Sequence, residues 1–559
     1  MPDALKKHPR PSTSSESDYY LLGRYAIAVL FLLLTVLAYT QNVNWDEFYF
    51  LSHVHAFLDG RLDRPLQTFF VHGFAWLGKI PGHEMGQIFA ARLVMIGFLA
   101  ATCFSIYKIA EEFSDQRCSI IAVLAFLTSA FVLPHGASFR ADPIAAAFLT
   151  SSIAIILTTR MSVIQIVLVA LLSALAVLVT IKSALYLPAY FAALIWRIED
   201  RSVVLRIIGA GILSAALCAL LYLWHSSGIS VAEGKTTATN AKSALNTTFL
   251  NSGWVPRSQE VLNWFLFSLA QVCLVVLGLT AQGDRRRTIV LLLFAGPFLS
   301  VVVYRNAYVY FFPFAVPLLM VAAAIGAQRI TQTQTMIRIM TVMLISTCLQ
   351  LALVLREGTR TRTQRATIAE VHRLFESPVP YIDDSGMIAS FPRVGFFMSS
   401  WGLTSYRRAN QPVFVDIIRI TKPPLLIANK VALTRTMAQS LSRGAVPKLL
   451  PEDHDVLRRS YVHYAGVIWL AGAEVALTAD EVMLNLPFPG RYRVEANQPI
   501  KIDDQMVTSG TVLALGAEPL ELKGPPGTSV KLIWDTGVEP IPSDSLGTKI
   551  YSGFWMFPF

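Results

Sequence analysis

The chain has 559 residues, of which 54% are hydrophobic and only 15% charged, and its mean hydropathy is +0.50. A soluble globular protein carries about a quarter charged residues, so this composition excludes an ordinary water-soluble enzyme. A formal net charge of +10 suits a nucleic-acid partner, but much of the positive excess lies at the ends of apolar runs, where membrane topology accounts for it more simply.

A hydrocarbon core about 30 Å thick needs about 17 to 25 apolar residues per spanning helix. In chain order such runs fall near residues 25–39, 88–109, 119–133, 143–158, 163–181, 203–223, 264–279, 289–304, 309–327 and 337–355. A shorter run at 183–196 contains Pro188, and with it the count is about eleven spans. The first run has no small-residue cleavage pattern after it and reads as a retained helix. With the N-terminus inside, Lys6, Lys7, Arg10, Lys108, Arg117, Arg160, Arg197, Arg201, Arg206, Arg329 and Arg338 all fall on the inner side. Omitting the short run would move Arg285, Arg286 and Arg287 outside, so the charge pattern favours keeping it.

An odd count puts the C-terminal region outside, together with two long loops at 41–87 and 224–263. Within them, stretches 69–77 and 246–254 are apolar but too short to span, and they suit interfacial helices. The organisation expected is a membrane domain over 1–356 containing the first outside loop at 41–87, a mixed α/β region over 357–465, and a β-rich module over 466–559. In the mixed region, 361–375 has helical apolar spacing, while 412–420 and 424–427 read as strands. Short β-rich runs at 481–484, 492–495, 511–515, 518–522 and 530–534, with Pro-Gly turns between them, predict a β-sandwich-like or jelly-roll-like module. All five cysteines lie in or beside apolar segments, so the polar region uses neither disulfides nor a zinc-cysteine site.

The residues suited to chemistry gather on the outer side. After the first run comes Asn44-Trp45-Asp46-Glu47-Phe48-Tyr49. Two adjacent carboxylates here suit either a solvated helix boundary or a site where one accepts a proton from a hydroxyl and the other organises a sugar or cation. The same loop carries His53, His55, His72, Lys79, His83 and Glu84. His83 or Glu84 with a distant partner such as His225 would make a divalent metal site, although no tight ligand spacing supports it. The next outer turn reads His135-Gly136-Ala137-Ser138-Phe139-Arg140-Ala141-Asp142-Pro143, where Asp142 is either a helix cap or a second carboxylate in the same cleft. Lys182 and Arg305 end their runs on the outer face, against the positive-inside bias. Snorkelling to anionic headgroups or binding a lipid phosphate accounts for each. Tyr304, Tyr308, Tyr310, Phe311 and Phe312 cluster around Arg305 and suit an interfacial belt or contact with sugar and lipid.

The order and sidedness of these motifs resemble the integral-membrane glycosyltransferases of the GT-C superfamily. The resemblance is to the bacterial branch that includes lipid A aminoarabinose and galacturonic acid transferases and protein O-mannosyltransferases. It rests on Asp46-Glu47, the long first loop, Phe139-Arg140-Ala141-Asp142-Pro143 and Lys182, and covers about the first 350 residues. It implies a multi-pass protein of the bacterial inner membrane that moves a sugar from a polyprenyl-phosphate carrier to a lipid or glycan acceptor in the periplasm. By position, the resemblance makes Asp46 the candidate general base, Glu47 its organising neighbour and Asp142 the second cleft carboxylate. Lys182, Arg305, Arg140 and Lys79 become candidates for the carrier phosphate, and Tyr49, His72 and Tyr308 for substrate contact. The competing readings are a flippase or other transporter of lipid-linked sugars, a protein O-glycosyltransferase, and a glycan-binding receptor.

Overall fold

The computed structural model describes residues 14–229, 253–281, 284–356, 358–438, 448–478, 481–516 and 518–553. The architecture is a polytopic α-helical membrane region followed by a C-terminal region rich in β-strands. Helix α1 (Ser14–Thr40) leads to α2 (Trp45–Leu58), which stays in the first loop, and then to α3 (His83–Phe113). There follow α4 (Gln116–Thr128), α5 (Ala141–Thr158), α6 (Val163–Val179), α7 (Leu187–Arg197) and α8 (Arg201–Ser227). The bundle continues with α9 (Ser258–Phe267), α10 (Leu269–Leu279), α11 (Leu319–Gln328) and α12 (Thr333–Arg356).

Among the described residues, five helices are long and apolar enough to cross a membrane: the Tyr19–Thr40 part of α1, α3, α5, α8 and α12. Two bent pairs raise this to seven if each is one span. The expected count of about eleven is not reached, because several apolar runs break before reaching membrane length. Run 119–133 stops as helix at Thr128, after 13 residues, and α6 has 17. Run 183–196 opens with a 3₁₀ turn, Ile181–Tyr186, which leaves 11 residues for α7. Run 289–304 is interrupted by the short Gly296–Leu299 helix, with Pro297 in its first turn.

The bends have identifiable causes. α9 and α10 meet at 86° around Ser268, whose hydroxyl accepts the Ala130 N–H at 2.9 Å and so fills the break with another chain segment. Val309–Ala315 meets α11 at 64°, across a break containing Pro317. Glycine allows α10 and α11 to touch backbone to backbone. A Cβ at Gly278 would lie 1.9 Å from the Ala322 carbonyl oxygen, and one at Gly326 the same distance from that of Leu274.

Helix α13 (Thr361–Leu374) opens the soluble region and packs Ile368, Val371 and Leu374 into a core shared with α2 and the start of α3. The strands are β1 (Tyr381–Asp383), β2 (Arg393–Val394), β3 (Leu425–Ile427), β4 (Tyr461–Ala465), β5 (Ile468–Ala476), β6 (Glu481–Leu484), β7 (Gly490–Ala496), β8 (Ile500–Ile502), β9 (Gln505–Val507), β10 (Val512–Leu515), β11 (Leu520–Lys523) and β12 (Ser529–Trp534). One sheet runs β10-β7-β12-β5-β3-β1-β2, with β4 beside β5, and a four-stranded sheet runs β6-β11-β8-β9. β1 is parallel to both β2 and β3, whereas the pairings from β3 onward are antiparallel. β5 pairs across residue 465, so the mixed region and the C-terminal strands share a sheet. The five β-rich runs expected after residue 480 all form strands, and side chains from both sheets meet in one apolar cluster around Val494, Leu522 and Leu532.

The expected strand at 412–420 is a helix, Phe414–Thr421. Its β-branched residues favour strand, but Phe414 and Ile418 face inward four residues apart, and the Asp453 carboxylate receives the N–H groups of Val413, Phe414 and Val415 at 2.7–3.2 Å.

Candidate active site at the membrane face

Helix α2 begins with a reciprocal cap. The Asn44 side chain accepts the Asp46 N–H at 2.9 Å, and Glu47 accepts the Asn44 N–H at 3.0 Å. Glu47 is 1% exposed and is held by Arg92 through two contacts, at 2.6 and 2.8 Å, and by the Phe139 N–H at 3.0 Å. Arg92 uses its remaining donors on the carbonyls of Ala38, Gln41 and Asn42. Burial opposes ionisation of Glu47, but Arg92 and the two N–H donors outweigh it and hold the carboxyl below the usual range. Glu47 therefore ties the first loop to α3 and to the turn before α5.

Its neighbour Asp46 starts a chain of alternating charges. Arg140 donates to Asp46 and lies 3.7 Å from Asp142, and Lys182 reaches Asp142 at 2.6 Å. These four groups come from three separate loops, and none of their side chains is more than 19% exposed. The Arg140 guanidinium carbon also lies over Tyr310, 3.5 Å from the ring centroid. Burial works against the Lys182 charge, yet Asp142 raises its proton affinity above the ordinary lysine value. In this net-neutral set of two carboxylates and two cations, with water largely excluded, an incoming anion would compete with Asp46 and Asp142 for Arg140 and Lys182.

The other candidates take varied places. Tyr49 stacks on Phe397 of the soluble region at 4.0 Å, and its hydroxyl accepts from Arg64 at 3.1 Å. Tyr308 lies under Arg257, 3.8 Å from ring centroid to guanidinium, and its hydroxyl accepts from the same arginine. Arg305 is half-buried with no ion pair among the described residues, and Lys79 is exposed. His72 faces His225 at 2.9 Å and stacks on Trp224. Burial lowers the proton affinity of His72, so the pair is held with a neutral imidazole near neutrality.

His225 thus sits with His72, and the partner of His83 and Glu84 is His372 of α13. Glu84 binds His372 at 3.1 Å, and the His83 and His372 rings stack at 4.1 Å. The donor atoms of the three lie within 4.8 Å of one another, an N,N,O set of the kind that suits a zinc-like divalent ion. Glu84 also accepts from the Ser390 N–H and hydroxyl, so this cluster joins α3 to the soluble region. The expected interfacial stretch 246–254 lies, apart from its last two residues, outside the described residues, as does the middle of loop 224–263.

Sequence reading missed Arg92, Arg257 and His372. Arg92 had the clearest signal: it is a lone cation inside the apolar stretch that begins α3, where an unpaired charge would be costly.

No protein-family model matches the chain, and a search of curated proteins finds no significant match. Solved structures do resemble it. ArnT from Cupriavidus metallidurans bound to undecaprenyl phosphate superposes with a TM-score of 0.53 at 12% identity, over 74% of this chain and 93% of that one. The apo oligosaccharyltransferase of Archaeoglobus fulgidus gives 0.51 at 9% identity, over 92% and 94%. At such identity the likeness is one of fold: this chain shares the overall architecture of these two proteins.

Proposed function

We propose that the protein is a glycosyltransferase that moves a sugar from a polyprenyl-phosphate donor to a hydroxyl of a cell-envelope acceptor, at the periplasmic face of a bacterial inner membrane. The observation that carries this reading is the buried chain Asp46–Arg140–Asp142–Lys182, assembled from three loops where a lipid-linked headgroup would arrive. The fold shared with a transferase solved with undecaprenyl phosphate supports it.

In this reading the donor phosphate draws Arg140 and Lys182 towards itself, which releases Asp46 from its ion pair. The acceptor hydroxyl attacks the anomeric carbon, its proton passes to Asp46, and the bond from that carbon to the phosphate oxygen breaks. The electron pair leaves with the polyprenyl phosphate, whose charge Lys182 and Arg140 neutralise. Asp142 holds the two cations in register, and Glu47 positions Asp46. Arg305 and Lys79 extend the cation supply for the carrier, and Tyr49, His72 and Tyr308 line the approach. A divalent ion at His83, Glu84 and His372 would brace the soluble region against α3, and no step of the transfer is assigned to it. Lipid A, core glycan and protein hydroxyls remain the acceptor classes.

The transporter reading gains one feature, the two bent helix pairs. Their breaks contain Ser268 and Val316-Pro317-Leu318, which offer no charge for a midplane site. The test is transfer in proteoliposomes, with synthetic polyprenyl-phosphate sugars as donors and membranes of a deletion strain as acceptor, read by mass spectrometry. Asp46→Asn is expected to lower the rate by about 10²- to 10⁴-fold and Asp142→Asn by at least tenfold. Full transfer by both variants, or donor translocation without transfer, would overturn the assignment.

A further inference from the structure

The soluble region holds a second polar centre that neither the expected motifs nor the transfer chemistry above uses. β1 has parallel neighbours on both sides, so the chain leaves its carboxyl end at a switch point, the position where open parallel sheets receive ligands. Asp384 and Ser385 follow β1 there, and Asn429 and Lys430 follow β3.

Asp383 builds the platform. Its carboxylate accepts the N–H groups of Ser385, Gly386 and Met387 at 2.7–3.1 Å and the Asn429 amide at 3.2 Å. Asp384 beside it is 1% exposed, and its carboxylate has the Leu433 N–H as a backbone donor but no close side-chain hydrogen bond; the buried amide oxygen of Asn429 has no hydrogen-bond partner. Buried acceptors short of donors are rare in native structures, and they ask for one. The start of the helix Val431–Met437 supplies Asp384 with the Leu433 N–H alone, and Lys430 at its N-cap makes no side-chain cap bond.

This edge abuts the membrane-face site. Lys430 holds its ammonium 4.3 Å from the centroid of Trp45, the residue before Asp46, and it feels the charges of both Asp384 and Asp46. Tyr551 presents its ring edge to Trp45 and Phe48 at 5.9 and 6.2 Å, while its hydroxyl meets Ser385 at 3.1 Å. The Asp384 carboxylate, the Asn429 amide oxygen, the Lys430 ammonium and the Trp45 indole therefore gather on the Asp46 side of this edge.

We infer that the carboxyl edge of β1 and β3 is the acceptor subsite, and that Asp384, Asn429 and Lys430 with Trp45 hold a saccharide so that one of its hydroxyls reaches Asp46. A sugar matches the surface in kind. Its vicinal hydroxyls donate to Asp384 and Asn429, its oxygens accept from Lys430, and its C–H face packs on the indole. The inference rests on the transferase reading for the role of the sugar as acceptor, but binding can be measured without transfer.

The full-length protein in nanodiscs is applied to an array of bacterial envelope oligosaccharides, and undecaprenyl phosphate binding is followed separately by native mass spectrometry. Asp384→Asn and Lys430→Gln are expected to weaken saccharide binding at least tenfold and leave undecaprenyl phosphate binding unchanged. Lys182→Gln should do the reverse, and Lys430→Arg should retain saccharide binding. Thermal unfolding of each variant establishes that it is folded. The inference is overturned if the wild type binds no saccharide, or if Asp384→Asn binds as the wild type does. Saccharide binding that depends on Asp384 in a protein with no affinity for undecaprenyl phosphate would instead remove the transferase reading alone.

Discussion

Two adjacent acidic pairs, Asp46-Glu47 in the first loop and Asp383-Asp384 after β1, divide their labour in the same way. In each, one carboxylate is saturated with donors: Glu47 by Arg92 and two N–H groups, Asp383 by three N–H groups and an amide. The other member has fewer donors. The pairs differ in how that second carboxylate is compensated. Asp46 is matched by Arg140. Asp384 has Lys430 as its main compensating charge, with smaller help from the Leu433 N–H and Arg393, and burial, reinforced by Asp383, pushes its carboxyl up to about 7. A balanced carboxylate is ready to change partners, whereas an under-compensated one waits for a ligand.

The comparison breaks most visibly at Glu47. Arg92→Met leaves that carboxylate buried and unpaired, with an expected loss of about 3–5 kcal/mol. It would be seen as a lower thermal midpoint and poor recovery of monodisperse protein, and the double variant Arg92→Met/Glu47→Leu should regain part of the loss. A single variant as stable as wild type would mean that Glu47 does not anchor the loop.

At Asp384 the sign is opposite. Its folded-state proton affinity exceeds the ordinary aspartate value of 3.8, so between pH 4 and 7 the folded chain binds more protons than the unfolded one. Stability is therefore lost as pH rises through this window, on the order of 2–4 kcal/mol by pH 8. Asp384→Asn should raise the thermal midpoint at pH 8 and change it little near pH 4. An equal shift at both pH values would show that the carboxylate is compensated after all. The smallest effect is expected from Asn44→Ala, which removes the cap of α2 at about 1 kcal/mol and should lower transfer more than stability, because Asp46 is the residue that the cap orients.

Legibility in the sequence follows the range of the interaction. Asp46, Arg140, Asp142 and Lys182 were readable as outer-face candidates because the ends of apolar runs fall on one side or the other, and the structure gathers them into one chain. Hydropathy measures how apolar a run is and says little about its path, so the breaks at Ser268 and Thr128 were not visible. Residues 412–420 misled because β-branched side chains outweighed the i, i+4 spacing of Phe414 and Ile418, while the cap from Asp453 lies far along the chain. Asp384 and Lys430 are ordinary residues of a polar segment until β1 and β3 pair and bring them beside Trp45.

The first loop is fastened from a great distance in the chain. Asn42 binds the Gly358 carbonyl and the Arg360 N–H, and it donates to the hydroxyl of Ser552, 510 positions later. The Gln364 side chain brackets the backbone of Val43 on both sides, at 2.7 and 3.2 Å. During synthesis the loop with Asp46 leaves the insertion machinery first and meets its fasteners last. Until residues 358–364 and Ser552 have been made, the loop that carries Asp46 therefore lacks the partners that fix its backbone.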